Sequence, residues 1–311
     1  MHIVYRKRGS TANTLAAVTT FFNYAGFKSQ PANYHLFADA WRSNSDIPLY
    51  TLELLLHGQR SSLNLPQSEF NLEPVRVKEP FFHKESGLNW IVKNLPDQFR
   101  EIMWVDCDFI FSDYKELKKL PALLTQYKAV QCIKDLHYLD KSGNVVSSRR
   151  AIAATKRKGE RGFHGGAWAA SRDLWDSWGG LYSGGVIGGN DTVTAIASQN
   201  PNNRKVNLGR RNKETEKEIQ EWAGRQSNYF QGRIVSLRGE ARHMFHGDRD
   251  NRQYTDRHKM IRHLPPTAYR RDSKGFQQFN PDFLDRHNRP RDFQPDRDAL
   301  LEYFASRRED D

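Results

Sequence analysis

The stretch Ile102–Phe111, reading IMWVDCDFIF, constrains the fold more than any other part of the chain. It is an apolar run, β-prone at its start, that carries two carboxylates, Asp106 and Asp108, separated by a single residue. A short run apolar on both sides reads as a strand buried on both faces, the habit of a mainly parallel sheet. Such sheets bind ligands in the crevice beyond the carboxyl ends of their strands, so the two acids are expected at a crevice. Carboxylates that close repel one another unless a cation lies between them. Hard oxygen ligands suit Mg²⁺ or Mn²⁺, and these ions complete their shells with water and a substrate's phosphates. The pattern therefore points to a nucleoside diphosphate. Acids also simply end strands and cap helices, so Asp-X-Asp needs support from the rest of the chain.

That support comes from three blocks. Before the pair stand Lys84-Glu85-Ser86-Gly87-Leu88-Asn89-Trp90-Ile91 and then Leu95-Pro96. After it stand Gly162-Phe163-His164-Gly165-Gly166-Ala167-Trp168-Ala169-Ala170-Ser171-Arg172 and Gly188-Gly189-Asn190-Asp191. Paired glycines let backbone approach a ligand closely, and Asp191 opens an apolar helix whose start it can cap while projecting into the crevice. The third block runs from Ala241 to Tyr254 and contains His243, His246, Arg249 and Arg252.

Asp106-Cys107-Asp108 after Trp104-Val105 resembles the DXD signature of GT-A-fold glycosyltransferases, and the three blocks extend the likeness over most of the chain. The resemblance implies an α/β fold, GT-A or Rossmann-like, with a mainly parallel sheet flanked by helices and a basic C-terminal extension. It implies a catalytic domain over residues 1–253, with a nucleotide-binding half to about residue 135, and an extension over 254–311 packed on it. It implies Mn²⁺ or Mg²⁺ held by Asp106, Asp108 and His246, with His243 and His263 as rivals for the third place, and Asp191 as catalytic base. A nucleoside-diphosphate sugar is the implied donor. Its expected contacts are Arg6, Arg8, Asp39, Lys84, Asn89, Gly165, Gly166, Trp168, Arg249 and Arg252. Gly189, Asn190, Arg157 and Lys158 are the expected acceptor contacts. A base at Asp191 implies inversion at the anomeric carbon.

Along the chain, His2–Tyr5 reads as a first strand, residues 11–22 as a helix and Tyr34–Ala40 as a second strand ending near Asp39. Leu49–Leu56 is a further apolar segment. A helix is expected over Lys84–Asn94, buried through Leu88, Ile91 and Val92, and stopped by Pro96. An amphipathic helix over Tyr114–Leu124 and a strand over Ala129–Ile133 follow. Residues 141–160 read as a polar, basic loop beside the nucleotide site. Glu214–Phe230 reads as an exposed helix.

The 311 residues suffice for a sizeable core. Cys107 and Cys132 both lie in apolar runs, which fits packing roles in a reducing compartment. No apolar run reaches membrane-spanning length and the first residues lack a signal peptide's apolar core, so a cytoplasmic protein without membrane insertion is expected. No protein partner is inferred. The net charge of +11 attracts polyanions and exceeds what one nucleotide sugar needs. The expected acceptor is therefore acidic, with a hydroxymethylated base in DNA ahead of a cell-surface glycan or lipid-linked saccharide. The other class consistent with this charge is a non-catalytic nucleic-acid-binding protein on a transferase-like fold.

Overall fold

The computed structural model describes residues 14–66, 68, 70–155, 162–199, 211–254 and 256–311. The expected strand His2–Tyr5 lies outside them. The described chain opens with β1 (Leu15–Phe22), buried along almost its whole length. This strand replaces the helix expected over residues 11–22. LAAVTTFF is a continuous apolar and β-branched run that satisfies a helical template and a fully buried strand equally well. The reverse error occurs next, because Tyr34–Ala40 belongs to α1 (Ser29–Asn44). There Tyr34, Phe37, Ala38 and Trp41 recur at helical spacing and are buried together.

β2 (Leu49–Leu56), β3 (Val75–Val77) and α2 (Lys84–Asn94) follow, then β4 (Glu101–Val105) and β5 (Phe109–Phe111). The run 102–111 is thus two strands, broken where the chain turns through Asp106, Cys107 and Asp108. A 3₁₀ turn over Tyr114–Lys119 leads into α3 (Leu120–Leu124) and β6 (Ala129–Gln131). β7 (Asp135–Leu139) and β8 (Val145–Arg150) then pair antiparallel. Residues 145–150 of the basic segment expected as a loop are therefore the outer strand of a hairpin. β9 (Ala167–Ser171), α4 (Arg172–Trp178), α5 (Asn190–Gln199) and α6 (Lys213–Phe230) come next. After them come β10 (Ile234–Ser236) and β11 (Glu240–His243), the small hairpin β12 (Tyr269–Arg271) and β13 (Gln277–Phe279), and α7 (Gln294–Ser306).

The main sheet has seven strands in the order β10-β6-β9-β4-β1-β2-β3. Only β9 runs against its neighbours, β4 and β6, so the sheet is mainly parallel as expected. Alternate residues of its central strands feed two cores. Leu15, Ala17, Met103 and Val105 meet α1 on one face, whereas Ala16, Val18, Ile102 and Trp104 meet α2 and α4 on the other. Arg172 fixes the second layer. Its buried guanidinium donates to the carbonyls of Val92, Leu95 and Pro96 at 2.8, 3.0 and 2.7 Å, capping the C-terminal end of α2.

A second sheet, ordered β5-β11-β7-β8, carries the chain beyond the Asp106–Asp108 turn. A third apolar cluster joins Phe81 and Ile187 to Leu264, Phe279, Leu300 and Phe304. Phe304 of α7 sets its edge against Phe22 and Tyr24, and Arg297 grips the buried Glu79 carboxylate at 2.6 and 2.9 Å. No described helix is long and apolar enough to cross a membrane.

Candidate metal and transfer site

The carboxyl ends of β1 and β4 open into a cleft of about 720 Å³. Strand pairing explains what gathers there. β11 lies antiparallel to β5 with His243 opposite Phe109, and Met244 N–H donates to Asp108 O at 2.9 Å. This register brings the His243 ring beside the Asp108 carboxylate, and the chain then turns so that His246 stacks on His243 with centroids 4.9 Å apart. His246 Nε2 lies 3.0 Å and His243 Nε2 3.6 Å from Asp108 Oδ2. One ligand atom from each of the three side chains falls within 4.8 Å of the others.

These residues fit a divalent ion. His243 Nδ1 lies 3.0 Å from Met244 O; donating that hydrogen bond leaves the Nε2 lone pair facing Asp108. Burial depresses the His243 pKa to about 4, keeping the imidazole in its neutral, ligating form. Asp108 is pulled the other way. Burial pushes its pKa up, but His243, His246 and Arg252 outweigh that and hold the carboxyl well below its usual range. Its Oδ1 is buried without a hydrogen-bond partner among the described residues, as expected of an oxygen that needs a cation.

Asp106 faces a different partner. Lys84 Nζ donates to Asp106 Oδ1 at 2.9 Å and lies 3.6 Å from Glu85 Oε1, while Gly166 N–H donates to Asp106 Oδ2 at 3.2 Å. The ammonium thus supplies the countercharge for Asp106, which stays outside the three-residue cluster. Burial raises the Asp106 pKa, Lys84 opposes the rise and Asp108 adds to it.

Asp191 stands on the first turn of α5. Gly165 explains how it fits. A Cβ on Gly165 would sit 2.6 Å from Asp191 Oδ2, so a side chain there would displace the Asp191 carboxylate, while Asp106 Oδ2 at 3.7 Å would be left in ordinary contact. Thr192 N–H donates to Asp191 Oδ1 at 2.7 Å. Burial would raise the Asp191 pKa, yet Lys84 and His164 outweigh it and keep the carboxyl ionised.

Lys84, Asp106, Asp108, Gly165, Gly166, Gly189, Asp191, His246, Arg249 and Arg252 all line the cleft, together with His243. Other expected contacts do not. Asp39 is exposed on α1 and pairs with Arg42. Asn89 is a tie between α2 and a loop, donating to Leu181 O and accepting from Leu181 N–H at 2.9 and 2.8 Å. Trp168 packs behind the glycines with its Nε1 on His164 O at 2.8 Å. The Asn190 side chain is buried, bonding both backbone groups of Gly185 and the Glu85 carboxylate. His263 pairs with Asp296 at 2.8 Å, away from the cluster. Cys107, at the turn between β4 and β5, lines the cleft and also packs against the core on the α1 face of the sheet. Arg6, Arg8, Arg157 and Lys158 lie outside the described residues.

Sequence reading missed Thr20, His164, Arg257 and Glu309, all of which line the cleft. The His-x-x-His spacing of His243 and His246 was the one visible hint that both rings act together.

No protein-family model matches the chain, and no curated protein matches it in sequence. Among solved structures, it is similar to 4-diphosphocytidyl-2C-methyl-D-erythritol synthase from Anaerococcus prevotii, with a TM-score of 0.39 and 12% identity over 73% of this chain and 89% of that one. The glycosyltransferase GlyE of Streptococcus pneumoniae gives 0.33 and 14% over 71% of this chain and 44% of its own. The galactosyltransferase LgtC, solved with donor and acceptor sugar analogues, gives 0.34 and 10% over 71% and 72%. These likenesses are remote, and the cleft's own side chains carry the functional reading.

Proposed function

We propose that the chain is a metal-dependent glycosyltransferase that moves a sugar from a nucleoside-diphosphate donor to an acceptor hydroxyl. The observation that supports this reading is the meeting, in one cleft, of the Asp108–His243–His246 cluster with the Asp191 carboxylate. Asp108, His243 and His246 would hold the ion, and two imidazoles in the set favour Mn²⁺ over Mg²⁺. A divalent ion held there would supply positive charge for a departing diphosphate. Arg249 and Arg252 line the cleft beside the cluster, where guanidinium forks match phosphate oxygens, and Arg252 also rests its Nη2 against the His246 ring and donates from Nη1 to Tyr254 Oη at 3.0 Å. Asp191 takes the proton from the acceptor hydroxyl as its oxygen bonds to the anomeric carbon and the bond to the diphosphate breaks. Attack from the side opposite the diphosphate inverts that carbon. Lys84 holds Asp106 and, through its charge, keeps Asp191 ionised.

The acceptor assigned in this reading is a hydroxymethylated base in DNA. Its support is the net charge of +11 together with the exposed Arg149 lining the cleft. Incubation with a panel of nucleotide sugars and hydroxymethylated duplex DNA, followed by mass spectrometry of the nucleosides, tests both parts. Transfer or donor hydrolysis should require Mn²⁺ and disappear with EDTA. Activity that survives full chelation contradicts the metal-dependent reading. Gel shifts should show DNA retained at low ionic strength and released steeply as salt rises. No retention at low salt contradicts the DNA acceptor and turns the search to saccharides.

A further inference from the structure

The last residues of the sequence return to the site across the whole length of the chain. The Glu309 side chain is fully buried, and its Oε2 lies 3.3 Å from His246 Nδ1, the ring nitrogen opposite the one that faces Asp108. Gln30 donates to the same oxygen at 2.5 Å, and Arg307 pairs with the carboxylate. Burial would raise the Glu309 pKa, but Arg307 and His246 outweigh it and set it near 2. Next along the chain, Asp310 accepts from Lys28 N–H at 3.0 Å and from Ser29 N–H at 2.7 Å, capping the first turn of α1. Ser29 Oγ donates to Glu309 O at 2.8 Å.

Gly247 makes room for this crossing. It has a φ of +81°, and a Cβ there would lie 2.8 Å from Glu309 Cα and 2.9 Å from Arg308 O. Backbone cannot yield as a flexible side chain can, so residue 247 must be glycine while the tail lies in place.

We propose that Glu309 is a positioning residue. Together with the Arg252 guanidinium, whose Nη2 lies 2.5 Å from both ring nitrogens, its carboxylate fixes the His246 ring with Nδ1 toward Glu309 and Nε2 toward Asp108, and the Gly247 and Asp310 contacts clip it there as a strap. Carboxylates set behind ligating histidines orient the ring and raise its basicity. The inference rests on reading Asp108, His243 and His246 as a metal site, and the test separates the two.

Mn²⁺ binding to the full chain is measured by electron paramagnetic resonance, with the far-ultraviolet circular dichroism and melting midpoint of each metal-free variant recorded alongside. Wild type should bind one ion and Asp108→Asn none. Glu309→Gln should weaken Mn²⁺ by roughly 10- to 100-fold with its helical signal intact. Gly247→Ala, which displaces the strap without touching the carboxylate, should weaken it to a similar degree. The double variant should lose no more than the worse single one, because both changes act through one element. Wild type that binds no Mn²⁺ overturns the metal reading. Wild type that binds while Glu309→Gln binds within twofold of it overturns the strap alone. If Glu309→Gln fails to fold, Gly247→Ala decides, and Mn²⁺ affinity unchanged in that variant overturns the strap.

Discussion

At the scale of single residues, the two acids of the Asp-X-Asp turn do different work. Asp108 faces two imidazoles and Asp106 faces an ammonium. Asp108→Asn should therefore abolish Mn²⁺ binding, whereas Asp106→Asn should leave measurable affinity in the same electron paramagnetic resonance titration. Equal losses would show that both acids bind the ion. Asp191→Asn should lower transfer by about 10²- to 10⁴-fold while leaving Mn²⁺ affinity unchanged, as loss of a proton acceptor requires. Gly165→Ala should impair transfer to a comparable extent, since its methyl would occupy the place of Asp191 Oδ2. Residues that now share the cleft, such as Asp108, Asp191 and His246, stood out in the sequence because acids and histidines beside glycine pairs and strand ends are chemically conspicuous. Asn89, Asn190 and Trp168 stand in the same blocks and look equally conspicuous. Their side chains nevertheless tie one backbone segment to another, a use that only packing reveals. Glu309 carried no signal, because nothing in a run of Arg, Glu and Asp tells which carboxylate turns inward.

At the scale of elements, legibility followed the clarity of the apolar period. α2 was readable to its ends, with its buried stripe of Leu88, Ile91 and Val92 and a proline just beyond. β1 was not, since eight consecutive apolar or β-branched residues have no period to read, and burial between two parallel neighbours decides the matter. α1 was misread because the short apolar window Tyr34–Ala40 hides Trp41, the residue that completes the helical face. The tie that fixes α2 against the sheet is likewise long-range. Arg172→Met should destabilise the fold by about 3 kcal/mol in urea unfolding, because three carbonyls at the end of α2 lose a charged donor inside the protein. A loss below about 0.5 kcal/mol would mean that water replaces the guanidinium there.

At the scale of the whole molecule, stability should depend on pH through histidines that fold in their neutral form. Burial sets His83 and His258 near 3, far below their unfolded value of 6.5. Between those values the unfolded chain binds protons that the folded chain refuses, so stability falls as pH drops through 6.5. Glu85, raised by burial to about 7, acts in the opposite direction over part of the same range, and the histidines outnumber it. The melting midpoint should therefore decline from pH 6.5 to 4.5, and a midpoint that rises instead would show that these rings are protonated in the fold. The cleft is also a property of the whole molecule, because its walls come from β1, β4, α5, the turn after β11 and the residues beyond α7. That closure depends on contacts such as Asp310 with Ser29, which no local pattern announces. The central claim is that these walls hold a divalent ion against a donor's diphosphate. Its most direct test is calorimetric titration of nucleoside diphosphates into the full chain with Mn²⁺ and with EDTA. The account predicts that at least one diphosphate binds tenfold or more tightly with Mn²⁺, and that Asp108→Asn erases the difference. Diphosphate affinity that is the same with Mn²⁺, with EDTA and in Asp108→Asn would contradict it.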